Sequence, residues 1–186
     1  MFRKKTLPVN RMIELEKWIN TLPPQIQSHL GDSELPQMLS LKMEYVNKLQ
    51  LPPDAEAELC PSTDEAYNGL IRIDEKLKNT SFPYMHEIIH YLRDVGIGNR
   101  VTRCFQRKTT GKTEDISEQD TNYCAAASVM RYSEIKDLLI EYDKTHPKMD
   151  ELAFVDSICK KYKQDRVAVM RRIVEVRQLR AFRTRK

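Results

Sequence analysis

Apolar residues recur at helical spacing along most of the chain, and the interruptions mark where the architecture changes. Met12, Ile13, Leu15, Trp18, Ile19 and Leu22 form one stripe of a helix predicted over residues 10–22, since positions three and four apart share a face. Pro23-Pro24 ends it, because proline lacks the amide that a continuing helix needs. A second helix is predicted over 36–49, with Pro36 in the first turn, where that missing amide costs nothing. The acidic, proline-containing stretch 51–64 reads as a connection. In 67–74, a turn-forming Asn-Gly precedes β-branched residues and predicts a strand.

Ser81-Phe82-Pro83 opens a helix carrying Tyr84, Met85, Ile88, Ile89 and Leu92, and Gly96 and Gly98 lie just past its end. Residues 99–117 are polar and basic with little periodicity, a long excursion with room for a short strand. Helix resumes at Ser117, a natural N-cap, and places Glu118, Thr121, Asn122, Ala125, Ser128 and Val129 along one side. Further helices are predicted over 133–144, 149–162 and 165–179, with Pro147 separating the first two. The pattern describes an α+β chain, mostly helical with a small sheet. It divides into an N-terminal helical segment (1–60), a core (61–132) and a basic C-terminal helical segment (133–186).

Composition changes this picture in one place. The chain has 186 residues, enough to bury a sizeable core, and its 40% apolar and 31% charged content is that of an ordinary globular protein. The net charge is only +4, but residues 160–186 hold 11 Lys and Arg against Asp165 and Glu175, a local 11 − 2 = +9. The basic end suits an acidic partner or contact with DNA; without interleaved aromatics, a solvated helix face is the plainer reading. No apolar run approaches the roughly 20 residues that span a bilayer, and no apolar stretch follows Met1–Leu7 as in a secretory signal. Cys60, Cys104, Cys124 and Cys159 form no Cys-x-x-Cys pair and are expected as free thiols. A cytoplasmic protein with no membrane partner is the expectation.

Candidate chemistry centres on His86-Glu87-Ile88-Ile89-His90. Histidines four apart share a helix face and can bind one zinc ion, and the intervening Glu87 is placed to act as the catalytic base. A catalytic zinc takes three protein ligands and keeps a fourth position open. Glu118, on the apolar side of the next helix, is the candidate third ligand. Asp120 is the alternative, with a shorter side chain on a different face. Asn122 is a candidate to hydrogen-bond a ligand histidine from the second shell. His29 and His146 sit in polar or proline-flanked surroundings and are not expected as ligands. Tyr84, Tyr91, Tyr123 and several arginines are the candidates for stabilising an oxyanion.

Three segments together resemble the ImmA/IrrE family of metallopeptidases: Gly69-Leu-Ile-Arg-Ile-Asp74, Phe82-Pro-Tyr-Met-His-Glu-Ile-Ile-His-Tyr-Leu92 and Glu118-Gln-Asp-Thr-Asn-Tyr-Cys-Ala-Ala-Ala-Ser-Val-Met130. The family has a strand, a His-Glu-x-x-His helix and a helix of the form Glu-x-x-Ala-Asn/Asp-x-Phe-Ala-Ala-x-Leu-Leu-Met-Pro. The likeness covers about residues 65–180. Thr121 replaces the usual Ala, Cys124 the Phe, Arg131 the Pro and Ile89 the Gly; none of these removes a ligand. The resemblance implies a zincin-like, gluzincin-type core over 61–132 with Zn2+ held by His86, His90 and Glu118. It also implies a zinc endopeptidase that cleaves a helix-turn-helix transcriptional repressor in phage, mobile-element or stress regulation. The competing expectation is a non-catalytic DNA-binding or protein-interaction regulator with a structural metal site. Its motivation is the basic helix pair 150–162 and 165–179, whose lengths suit a helix-turn-helix.

Overall fold

A computed structural model describes residues 7–108, 116–145 and 151–184. The helix expected over 36–49 is a short helix α3 (Leu35–Met38) followed by a strand β1 (Leu41–Val46). Ser40 stops the helix in a left-handed conformation, φ 55°. Beyond it, Leu-Lys-Met-Glu-Tyr-Val alternates apolar and polar, the period of a strand rather than a helix. The stretch expected as a connection contains β2 (Ala55–Cys60). The strand expected at 67–74 is β3 (Gly69–Asp74), and the basic excursion includes β4 (Phe105–Lys108); His146 and residues 109–115 lie outside the described residues.

The four strands form one sheet in the order β1-β3-β2-β4. β1 runs parallel to β3, and β2 runs antiparallel to both β3 and β4. Ala57, Leu59, Ile71 and Ile73 share a dry face, each at most 1% exposed. On the other face Glu58 and Arg72, directly opposite in register, form an ion pair. A Cβ at Gly69 would lie 2.5 Å from the side chain of Val101, so any larger residue at the start of β3 would force Val101 to move.

Helix α4 (Phe82–His90) packs on the sheet, and the other helices are α1 (Val9–Ile19), α2 (Pro24–Ser28), α5 (Ile116–Val129), α6 (Tyr132–Thr145), α7 (Glu151–Tyr162) and α8 (Arg166–Arg183). Ser117 therefore falls inside the first turn of α5 and is not its N-cap. α4 runs directly into a π-helical turn, Tyr91–Val95, which closes with Gly96 N–H on the Tyr91 carbonyl at 2.8 Å. Such wide turns are rare and concentrate at functional sites.

Two hydrophobic cores result. Met12, Leu15 and Ile19 of α1 join the sheet, Met85, Ile88 and Ile89 of α4, and Ala125 of α5 in the larger. Ile135, Leu139, Phe154, Ile158, Val169 and Ile173 of α6–α8 form the smaller. α5 lies between them: Ala125 belongs to the first and Ala126 to the second. Its run Tyr123–Ser128 is buried without a break, as a helix enclosed on several sides must be. The expected division at residue 60 is corrected by the sheet, because β1 and β2 come from the first 60 residues and pair with β3 and β4. The first 60 residues thus build the core and do not form a separate helical segment. Among the described residues, no helix is long and apolar enough to cross a membrane.

Candidate metal centre

The centre forms where α4 crosses α5. Every residue of α4 from Pro83 to His90 is buried, so the two histidines are held by packing before any ligand arrives. His86 and His90 stand one turn apart on the same face, ring centroids 4.9 Å apart and edge-to-face. Glu118, in the first turn of α5, reaches across to both: its carboxylate oxygens lie 3.3 Å from His86 Nε2 and 3.1 Å from His90 Nε2. One donor atom from each of the three lies within 4.8 Å of the others.

These distances test the fit of a metal. Ligands about 2.0–2.1 Å from a tetrahedral zinc are themselves roughly 3.3 Å apart, which matches the spacing between Glu118 and each imidazole. His90 meets a second requirement, that a ligand histidine be oriented through its other nitrogen. Its Nδ1 lies 2.8 Å from Asp94 Oδ2, on the π-turn that continues its own helix. With Nδ1 occupied there, Nε2 is the nitrogen that faces Glu118. A two-histidine, one-carboxylate donor set suits zinc, so the residues present can hold such an ion.

The imidazoles and carboxylates of the site shift one another's ionisation. Burial works against ionisation of Glu118, yet hydrogen bonds from His86 and His90 outweigh it and hold the carboxyl far below the ordinary range. For His90, burial opposes protonation, but Glu118, Glu87 and Asp94 overcome it and raise its pKa. Glu87 is fully buried on the same helix. Arg93, next to Asp94, turns away to Asp120 at 3.4 Å and stacks 5.9 Å from the Trp18 ring centroid.

Asp120, the alternative third ligand, is committed elsewhere. Its side chain is 2% exposed and forms ion pairs with Arg11 of α1 and with Arg93, so it ties the N-terminal helix to α5 and does not face the histidines. Asn122 makes no hydrogen bond to either histidine among the described residues, and Asp94 does the orienting expected of it. His29 stays away from the centre, with Nδ1 2.8 Å from the Gln25 carbonyl oxygen. The three tyrosines considered for the oxyanion are also engaged: Tyr84 donates to the Gly31 carbonyl, Tyr91 to that of Asn99, and Tyr123 to Glu16.

Two neighbours went unnoticed in the sequence. Asp94 follows His90 by four residues, a spacing that was there to be read once His90 was a ligand. Phe105 of the edge strand β4 stacks on His90, centroids 5.2 Å apart, and the Arg103 guanidinium lies 4.9 Å from the Phe105 ring centroid. No local signal marks Phe105, because β4 reaches the site only through its pairing with β2. No protein-family model, curated protein or solved structure matches the chain.

Proposed function

We propose that the protein is a zinc-dependent endopeptidase with a zincin-like core, in which His86, His90 and Glu118 hold the metal and Glu87 is the catalytic base. The observation that carries this reading is the convergence of those three donors, at 3.1 and 3.3 Å across α4 and α5, beside a buried glutamate. When bound, zinc would act as a Lewis acid toward a peptide carbonyl and bring the pKa of water to about 7. Glu87 takes the proton of the attacking water and passes it to the departing amine. Asp94 holds the His90 ring in register, and Phe105 covers its face and limits solvent access.

The openness of the site favours catalysis over a structural clip. Structural zinc is enclosed by four protein ligands, whereas three donors converge here among the described residues and the side chain of Glu118 is 33% exposed. The resemblance to the ImmA/IrrE family supports a transcriptional repressor as the protein substrate. The DNA-binding alternative draws on the basic C-terminus, but Arg166, Arg177 and Arg180 already pair with Asp156, Glu151 and Asp143.

The test is comparative. Zinc-loaded protein and its Glu87→Gln variant are incubated with a peptide library and new N-termini are counted by mass spectrometry. The expected outcome is equal zinc content, with cleavage only by the unaltered protein. Equal zinc content with no cleavage by either would leave a structural site and overturn the peptidase reading.

A further inference from the structure

A second candidate site lies away from the metal centre, where the turn joining α7 to α8 meets the loop before α4. Two adjoining grooves, of about 430 and 470 Å³, share Asn79, Thr80 and Lys163. Lys78 and Lys161 line the first and Lys160 the second. Four lysines from two separate segments thus line two grooves that share three residues. None makes an ion pair among the described residues, and Lys161 has only the neighbouring Tyr162 ring, 5.2 Å away. Two carboxylates also line the grooves, Asp32 and Asp165, and Asp165 is occupied in capping α8 through the Ala168 amide at 2.8 Å.

Lys163 is the informative residue. α7 ends with the Gln164 amide closing back on the Cys159 carbonyl at 3.1 Å, the bond of a Schellman cap. That cap puts Lys163 in the left-handed region, φ 52°, at the position where glycine is usual because it adopts this conformation without a side-chain penalty. A lysine here costs stability and adds only a side chain, which borders both grooves. Backbone strain kept at such a point argues for a use of the side chain. The following Gln164 fixes the turn against the core by donating to Ser81 Oγ at 2.8 Å. Lys163 therefore lines the same groove as Lys78 and Asn79, beside a turn tied to Ser81.

We infer that this groove binds a small anion carrying two or more phosphate groups, held by Lys78, Lys160, Lys161 and Lys163. A compact ammonium serves as a point charge for phosphate, and grooves of this size accommodate a small molecule. Several lysines around adjoining grooves suit a ligand whose charge is spread over neighbouring phosphates better than a lone carboxylate. The inference does not depend on the peptidase reading, since no residue of the metal centre lines the groove.

Isothermal titration of the metal-free full chain with inorganic triphosphate, at low and at physiological salt, tests it. Saturable one-to-one binding is expected, weakened at least tenfold in K161A/K163A and several-fold in Lys163→Gly. The glycine variant should at the same time melt at an equal or higher temperature, which separates loss of the ligand contact from loss of the fold. The His90→Ala variant should bind as the unaltered protein does, excluding capture at the metal centre. The inference fails if binding does not saturate, or if Lys163→Gly binds undiminished. It fails equally if Lys17→Ala/Lys144→Ala, which line neither groove, weakens binding as much as K161A/K163A, which would indicate diffuse attraction by net charge.

Discussion

Helix α5 carries two buried polar clusters, and they are solved in opposite ways. At one, Glu118 faces His86 and His90 with Glu87 and Asp94 beside them, and Arg93 pairs with Asp120 instead. At the other, Tyr123 donates to Glu16 of α1 at 2.9 Å, and the fully buried Arg172 of α8 reaches Glu16 at 3.0 Å, the Met130 carbonyl at 2.9 Å and Glu175 at 3.5 Å. Burial opposes the charge on Arg172, but Tyr123, Glu16 and Glu175 more than offset it and keep the guanidinium protonated. Glu175 is pushed up by burial more than Arg172 and Arg171 pull it down. The second cluster brings its own cation and is complete as a clasp. The first sets a carboxylate against two imidazoles from the facing helix, a donor set that could hold a metal ion.

The largest effect expected from breaking this contrast is at the metal ligands. If roughly 10–16 kcal/mol of binding is shared among the ligands of a zinc site, removing one costs on the order of a thousandfold in affinity. His90→Ala and Glu118→Ala should therefore emerge from purification without zinc by plasma emission analysis. Asp120→Ala should keep its zinc while losing the tie to Arg11. Zinc lost from Asp120→Ala but kept in Glu118→Ala would exchange their roles.

Next in size is the clasp. Arg172→Met leaves Glu16 and Glu175 without their cation, and breaking a buried pair costs about 3–5 kcal/mol. Urea denaturation should show that loss, with zinc content per folded molecule unchanged. A change below about 1 kcal/mol would show that the cluster contributes little to holding α1, α5 and α8 together.

Asp94→Asn sharpens the comparison from the metal side. It keeps the shape of the carboxylate but weakens its hold on the His90 ring, and loss of such an outer partner costs about 10–100-fold in metal affinity. Competition with a zinc chelator measures this; an unchanged affinity would remove Asp94 from the site.

The smallest effects concern the thiols. Burial pushes Cys60 up to about 11, and pushes Cys124, on α5 between the two clusters, up to about 12. At pH 8 the exposed Cys104 should react with iodoacetamide well before either, as peptide mapping at timed intervals would reveal. Because the folded-state values are raised, these thiols favour the fold below their ordinary pKa. That contribution is lost as pH rises toward 11–12, so stability should fall at alkaline pH.

The legible parts of the chain were those where one local pattern decides the outcome. The stripe through Met12, Leu15 and Ile19, the histidine spacing on α4 and the helices expected over 149–162 and 165–179, observed as α7 and α8, are of this kind. β1 and β2 were missed for different reasons. In β1 the apolar positions Leu41, Met43 and Val46 also suit a helix, and the deciding stop at Ser40 lies in a backbone angle that residue identity does not declare. In β2, Ala-Glu-Ala-Glu is a helix former by propensity, made into a strand because β3 and β4 pair on either side of it. At the site, Glu118 was legible as a carboxylate on the inner side of a helix. The exclusion of Asp120 was not, because Arg11 lies 109 residues away in sequence.

That separation bears on when the protein becomes competent. The metal ligands arise within a short stretch of chain, yet the helix bearing Glu118 is braced by Arg11, and α1 is in turn locked by Arg172, 156 residues beyond Glu16. During synthesis the donors emerge long before their supports are joined. Chains that stop short of α8 lack Arg172 and leave Glu16 without that partner, so the metal donors can be present before the fold around them is locked.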